Sequence, residues 1–114
     1  MTHRESLTLE RQIAIVNERL TDFRARREST IEDGYRVELN LRGAEALEDA
    51  DQITTAQAQL GVVNTNLANL NRVIELHDTE LTELTSTREG RRAAGKAGVS
   101  VLATVTPIAR KHTT

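Results

Sequence analysis

One histidine, His77, occupies a position in a series of apolar residues that recur every three and four residues. Its side chain is the one in this series that could bind a ligand or transfer a proton. An imidazole binds metals and exchanges protons near neutral pH. In a trimer, three copies of His77 would converge on the axis and could hold a metal ion, an anion or water. No carboxylate occupies a matching inward position, and His3 and His112 lie near the termini without metal-ligand spacing. We therefore interpret His77 as a polar residue that fixes helix register, and we predict no metal site.

Two basic segments could in principle contact phosphate. Gly95-Lys96 superficially resembles a phosphate-binding loop, but Ala97 follows where the Walker pattern needs Ser or Thr, and no strand is predicted before it. Arg24, Arg26 and Arg27 form a cluster that acids flank and that has no interleaved aromatic residues for base stacking. These patterns favour a solvated helix face over nucleic-acid contact.

The other residue types supply no catalytic group that the sequence can support. The chain has no Cys, which excludes thiolate chemistry and a disulfide framework. We find no Ser-His-acid grouping, and no helix that carries paired carboxylates with His at ligand spacing. We predict a protein that is not an enzyme, with no catalytic residues and no cofactor.

A long helix, predicted over about residues 44–89, must position His77. Within it, mostly apolar residues recur in steps of three and four, as in a heptad repeat. A shorter helix over about 6–33 has the same spacing, so the predicted fold is all-α, a coiled coil. The expected oligomer seam comprises Leu9, Ile13, Val16, Leu20, Phe23, Ile53, Leu60, Val63, Leu67, Leu70, Ile74, His77, Leu81 and Leu84.

Residues 34–43 are ambiguous. Asp33-Gly34 is a turn signal, and after it Tyr35, Val37, Leu39 and Leu41 alternate with polar residues, which predicts a short extended segment at about 35–41. Against this, Val37 and Leu41 also continue the heptad frame of the first helix, so that helix could run on. The frames of the two helices are offset, which places a discontinuity between Leu41 and Ile53.

The C-terminal region predicts a linker and a docking segment. Residues 90–98 contain three Gly and read as a basic, flexible connection. Residues 99–106 are β-branched and near-alternating, which predicts a short strand that pairs with a partner. The expected partner-docking residues are Val99, Val101, Val105, Arg91, Arg92 and Lys96. We thus divide the chain into 1–33, 34–43, 44–89, 90–98 and 99–114.

Charge is unevenly distributed along the 114 residues. Basic and acidic residues balance over 1–36, acids dominate over 37–89, and residues 90–114 are basic without a single acid. An acidic stem with a basic tail indicates contacts between the tail and an acidic neighbouring surface. No apolar run approaches the length of a membrane span, and no secretory signal is visible, so we expect no membrane partner.

The seam residues leave the number of paired helices open. Ile and Leu mix at the a positions, and the flanking e and g sites from Gln57 to Val73 lack charge. This composition favours a wider bundle, so a homotrimer is the first expectation. An intrachain antiparallel hairpin between residues 7–30 and 55–85 comes next, and a dimer third.

The whole pattern resembles the small coiled-coil structural proteins of tailed-phage particles, of the head-fibre, tail-needle, scaffold or connector type. It consists of two heptad helices with a break, a Thr/Asn-rich stem, a basic Gly linker and a terminal strand. The resemblance implies a multi-copy fibre, spacer or connector docked at one end to a larger protein assembly, located in the virion if the chain is phage-derived and in the cytoplasm otherwise. The helix order also resembles prefoldin-type hairpin chaperones, which implies client binding as the alternative. Nucleic-acid association through the basic tail is the third hypothesis.

Overall fold

The computed structural model describes residues 3–99, and over this range the regular secondary structure is helical throughout. A 3-10 helix spans His3–Ser6, followed by α1 (Leu9–Ala46), α2 (Ala50–Leu84) and α3 (Arg88–Lys96). The prediction of an all-α fold is confirmed. The chain forms two compact units: unit 1 combines Met1–Thr21 with Glu75–Thr114, and unit 2 is Asp22–Ile74.

Helix α1 is longer than the sequence predicts, because it continues through Gly34 and Gly43. It begins after Thr8, whose Oγ1 accepts a hydrogen bond from the Arg11 backbone N–H at 3.2 Å. The extended segment predicted at 35–41 is helical. Val37 and Leu41 are half-buried, whereas Tyr35 and Leu39 are exposed, so the burial follows the helical period and not the alternation. Packing along one helix face therefore overrides the local turn signal.

The chain reverses at Leu47–Asp49 without glycine or proline. The Asp49 N–H donates to the Ala44 carbonyl at 3.0 Å and the Glu48 N–H to the Glu45 carbonyl at 3.1 Å, which is a Schellman motif. Glu48 takes the left-handed position with φ 54°. The Asp49 side chain then caps α2 by accepting from the Gln52 N–H at 3.2 Å. The long second helix accordingly starts at Ala50 rather than near residue 44.

Helix α2 tolerates its many threonines because their hydroxyls bond within the helix. Thr54, Thr55, Thr65 and Thr82 each donate to the carbonyl four residues earlier, at 2.9–3.0 Å. The helix ends at Leu84, five residues before the predicted end. The short break that follows leads directly into α3.

Most of the predicted linker at 90–98 belongs to α3, which Thr87 caps by accepting from the Gly90 N–H at 3.0 Å. Gly90 serves close packing, since a Cβ there would overlap the Leu84 carbonyl oxygen. Gly98, with φ 75°, ends the helix, and the Val99 N–H donates to the Ala94 carbonyl at 2.9 Å. Val99 is not in a strand, and the rest of the predicted strand, residues 100–106, lies outside the described residues.

Unit 1 has a core to which all three helices contribute. Ile13 and Leu20 of α1 are fully buried, and Leu81 and Leu84 of α2 and Ala94 of α3 are buried as well. Side-chain contacts join α1 and its preceding turn to α2: Arg4 pairs with Glu80 at 3.3 Å, and the Arg19 Nε–H donates to His77 Nε2 at 3.1 Å.

Unit 2 consists of two antiparallel helical segments joined by the turn. Gly34 of α1 lies against Val63 of α2, and the Arg27 guanidinium donates to the Asn71 side chain at 3.5 Å. Its fully covered positions are mostly small residues, Gly34, Ala44 and Ala56, together with Ile74. The larger seam residues of this unit keep part of their surface exposed, because only two helices share the seam.

Candidate functional site

The fourteen predicted seam residues all lie on covered helix faces. Within each unit they line the contact between α1 and α2 of the same chain, which is the hairpin arrangement. The buried seam residues are Ile13, Leu20, Ile74, Leu81 and Leu84. The half-buried ones are Leu9, Val16, Phe23, Ile53, Leu60, Val63, Leu67, Leu70 and His77.

His77 is half-buried in unit 1, where its ring nitrogen accepts a hydrogen bond from Arg19. This contact joins two helices at one defined level, which is the geometry that register specification requires. Among residues 3–99, no group of three or more His, Cys, Asp or Glu side chains is placed to hold a metal ion.

The arginine cluster does not converge on one surface. The Arg26 guanidinium lies 5.5 Å from the centre of the Phe23 ring and 3.7 Å from the Asp22 carboxylate. Arg27 contacts Asn71 across the helix pair, and Arg24 is exposed about 200° around the helix from Arg26. Arg26 and Arg27 therefore engage different neighbours, and Arg24 lies on another side of the helix.

The predicted docking residues divide between buried and exposed positions. Val99 is 8% exposed and belongs to the interior of unit 1. Arg91, Arg92 and Lys96 are exposed on α3, and Arg91 donates to the Ser86 carbonyl at 3.3 Å. Val101 and Val105 lie outside the described residues.

Unit 2 exposes several large apolar side chains outside the predicted seam. Five of the seven large hydrophobic side chains that the described residues expose belong to it: Ile31, Tyr35, Leu39, Leu47 and Val62. The sequence between Gln52 and Asn71 also contains no charged residue, although 28% of the whole chain is charged. That uncharged run is the sequence signal for Val62, whereas the other four exposed residues lie outside it.

Two surface grooves lie within unit 2. The first has a volume of about 450 Å³ and is bounded by Arg26, Ser29 and Asn69 over a floor that includes Leu70 and Val73. The second, called the tip groove below, lies beside the turn and has a volume of about 550 Å³. Neither lining contains a His, Cys or Lys.

Comparison with known proteins yields no relative: no family model, no curated protein and no solved structure matches the chain. None of the helices in residues 3–99 is both long and apolar enough to cross a membrane. The helix pair and the exposed surface of unit 2 are therefore the features from which a function can be argued.

Proposed function

We propose that this protein is a non-enzymatic assembly protein, a helical hairpin that binds other proteins through unit 2 and acts as a spacer or connector. The observation that carries the proposal is the exposed apolar surface of α1 in that unit, formed by Ile31, Tyr35 and Leu39 four residues apart, together with Val62 on α2. Tyr35 is 56% exposed and Val62 is 61% exposed, on helices whose seam faces already have a partner in the chain.

The composition of this surface is that of a protein interface. Interface centres are depleted in charge and enriched in aromatic residues, and clustered exposed apolar residues mark sites of association. The uncharged run on α2 also supplies Asn, Gln and Thr side chains, which can form hydrogen bonds at a polar rim.

The hairpin also changes how copies of the chain could associate. The homotrimer expected from the sequence would use the seam, but the seam residues of both units are already buried or half-buried within the chain itself. A homo-oligomer of this hairpin would form through outer surfaces. The phage-particle role rests on the resemblance of the sequence pattern alone.

A second candidate function is that of a hairpin chaperone. The feature that favours it is the pair of exposed leucines at the turn end of unit 2, Leu39 and Leu47. A chaperone of this kind suppresses the aggregation of an unfolded client protein, and Leu39→Glu with Leu47→Glu would abolish the suppression. A structural connector has no such effect.

Site-specific photo-crosslinking in the native cell tests the main proposal. Benzoylphenylalanine in place of Tyr35 or Val62 should give protein adducts of discrete mass. The matched control replaces Glu28, an exposed charged residue on α1 of the same unit. The proposal fails if neither surface position yields a discrete adduct, or if Glu28 yields the same adducts.

A further inference from the structure

The tip groove combines two exposed leucines with a largely polar lining. Its lining includes Ala44 and Ala56, both buried, and Leu39 and Leu47, which are 45% and 81% exposed. Amide and hydroxyl side chains make up most of the rest, and Asp49 is the single charged residue in the lining. Such a groove fits a peptide segment that carries both apolar and basic side chains.

The chain around the groove is acidic. Residues 39–59, which span the groove lining, contain Glu45, Glu48, Asp49 and Asp51 against one basic residue, Arg42. An occupant with apolar side chains and nearby positive charge would be complementary on both counts.

The C-terminal segment has this composition. Residues 100–114, which follow the described part of the chain, contain Val101, Leu102, Val105 and Ile108, then Arg110 and Lys111, and no acid. We propose that the tip groove of one copy binds residues 100–114 of a second copy. The inference rests on the proposed function and deepens it, because it names the occupant of one site on unit 2.

The dimensions are compatible. Leu39 lies in α1 and Leu47 directly follows its last residue, so the two are eight residues apart, about 12 Å at the helical rise. An extended peptide covers about 13 Å between Val101 and Val105. These two valines can therefore contact the leucines at both ends of the groove, while Arg110 and Lys111 remain within the segment's reach of the acidic residues.

The contact joins two different surfaces, so it is heterologous. A series of bound copies has a free groove at one end and a free tail at the other. Further addition therefore produces an open filament, or a closed ring if the two ends meet. This is the behaviour of a spacer or connector that grows by addition.

Sedimentation velocity of the full-length protein provides the test. The wild-type protein should show species larger than a dimer that increase with concentration and decrease with added salt. Leu47→Glu removes a groove wall at a highly exposed position, and Val105→Glu places an acid in the tail. Each variant alone should be monomeric, with the dissociation constant raised at least roughly tenfold. The matched control, Leu76→Glu, changes an apolar residue of unit 1 that is 66% exposed and lies outside the groove lining, and it should associate like the wild type.

The mixture of the two defective variants is decisive. A Leu47→Glu copy keeps a working tail and a Val105→Glu copy keeps a working groove, so an equimolar mixture should form dimers and nothing larger. A mixture that stays monomeric, a wild-type protein that is monomeric at millimolar concentration, or loss of association in Leu76→Glu would each overturn the inference. If self-association fails while the photo-crosslinks to other proteins persist, the proposed function stands without it.

Discussion

Replacing Gly34 with Ala tests the register of the helix pair in unit 2. Gly34 is buried in α1, and a Cβ at this position would lie 3.1 Å from Cγ1 of Val63 on α2. That is closer than the optimal carbon–carbon separation of about 3.5–4.0 Å. Val63 is β-branched with one strongly preferred rotamer in a helix, so it cannot readily turn away.

The expected magnitude follows from two opposing effects. Alanine stabilises a helix interior by about 0.8–1.0 kcal/mol relative to glycine. Gly34→Ala should lose most of this gain to the contact with Val63, and should leave the free energy of unfolding within about 0.5 kcal/mol of wild type. In a Val63→Ala background the contact is gone, so the same substitution should recover about 1 kcal/mol.

The assay is a double-mutant cycle by chemical denaturation, with thermal melts as a check. A gain of 1 kcal/mol corresponds to a midpoint increase of about 4–8 °C for a domain of this size. Gly61→Ala is the matched control, because a Cβ there has nothing within 4 Å, and it should gain about 1 kcal/mol in both backgrounds. If Gly34→Ala behaves like Gly61→Ala in both backgrounds, the two helices do not meet at this level and the antiparallel register is refuted.

Three further substitutions test the helix ends by denaturation. Glu48→Gly should stabilise the protein by about 1 kcal/mol because it relieves the left-handed backbone, whereas the control Glu45→Gly in the helix should destabilise it by a similar amount. Gly90→Ala should cost about 2 kcal/mol through backbone overlap, while Gly95→Ala, with open space around it, should not destabilise; equal effects would contradict the close approach. Thr87→Ala should cost about 1 kcal/mol by removing the α3 cap, and Thr87→Ser should restore most of it; a neutral Thr87→Ala would mean that the cap contributes nothing.

The heptad pattern was sufficient to predict the all-α fold and the covered face of each helix. The heptad pattern of the first helix also continued through Val37 and Leu41, which favoured an uninterrupted helix. The turn signal at Asp33-Gly34 instead suggested a break there. The true turn was hidden because Glu48 occupies a position where glycine is usual. The Asp49 cap with Gln52 three residues later was the available signal for it.

The C-terminal helix and the interaction surface were harder to predict for a physical reason. Gly90 reads locally as a helix breaker, yet its role is set by contact with Leu84, which the local sequence does not encode. The pairing of α1 with α2 within one chain likewise depends on a turn, since a heptad seam is equally compatible with helices from other copies. The exposure of Tyr35 and Val62 became visible only once each helix had a defined partner.

Unit 1 is assembled from the two ends of the chain, and this affects its synthesis on the ribosome. Unit 2 is a continuous segment and can fold as soon as it has emerged. Ile13 and Leu20 cannot be buried until Leu81, Leu84 and Ala94 have been synthesised. At about 5–20 residues per second, roughly 4–16 s pass between the synthesis of residue 21 and that of residue 99. Throughout that interval the nascent N-terminal helix exposes an apolar stripe, which leaves it open to misassembly before the rest of unit 1 has been synthesised.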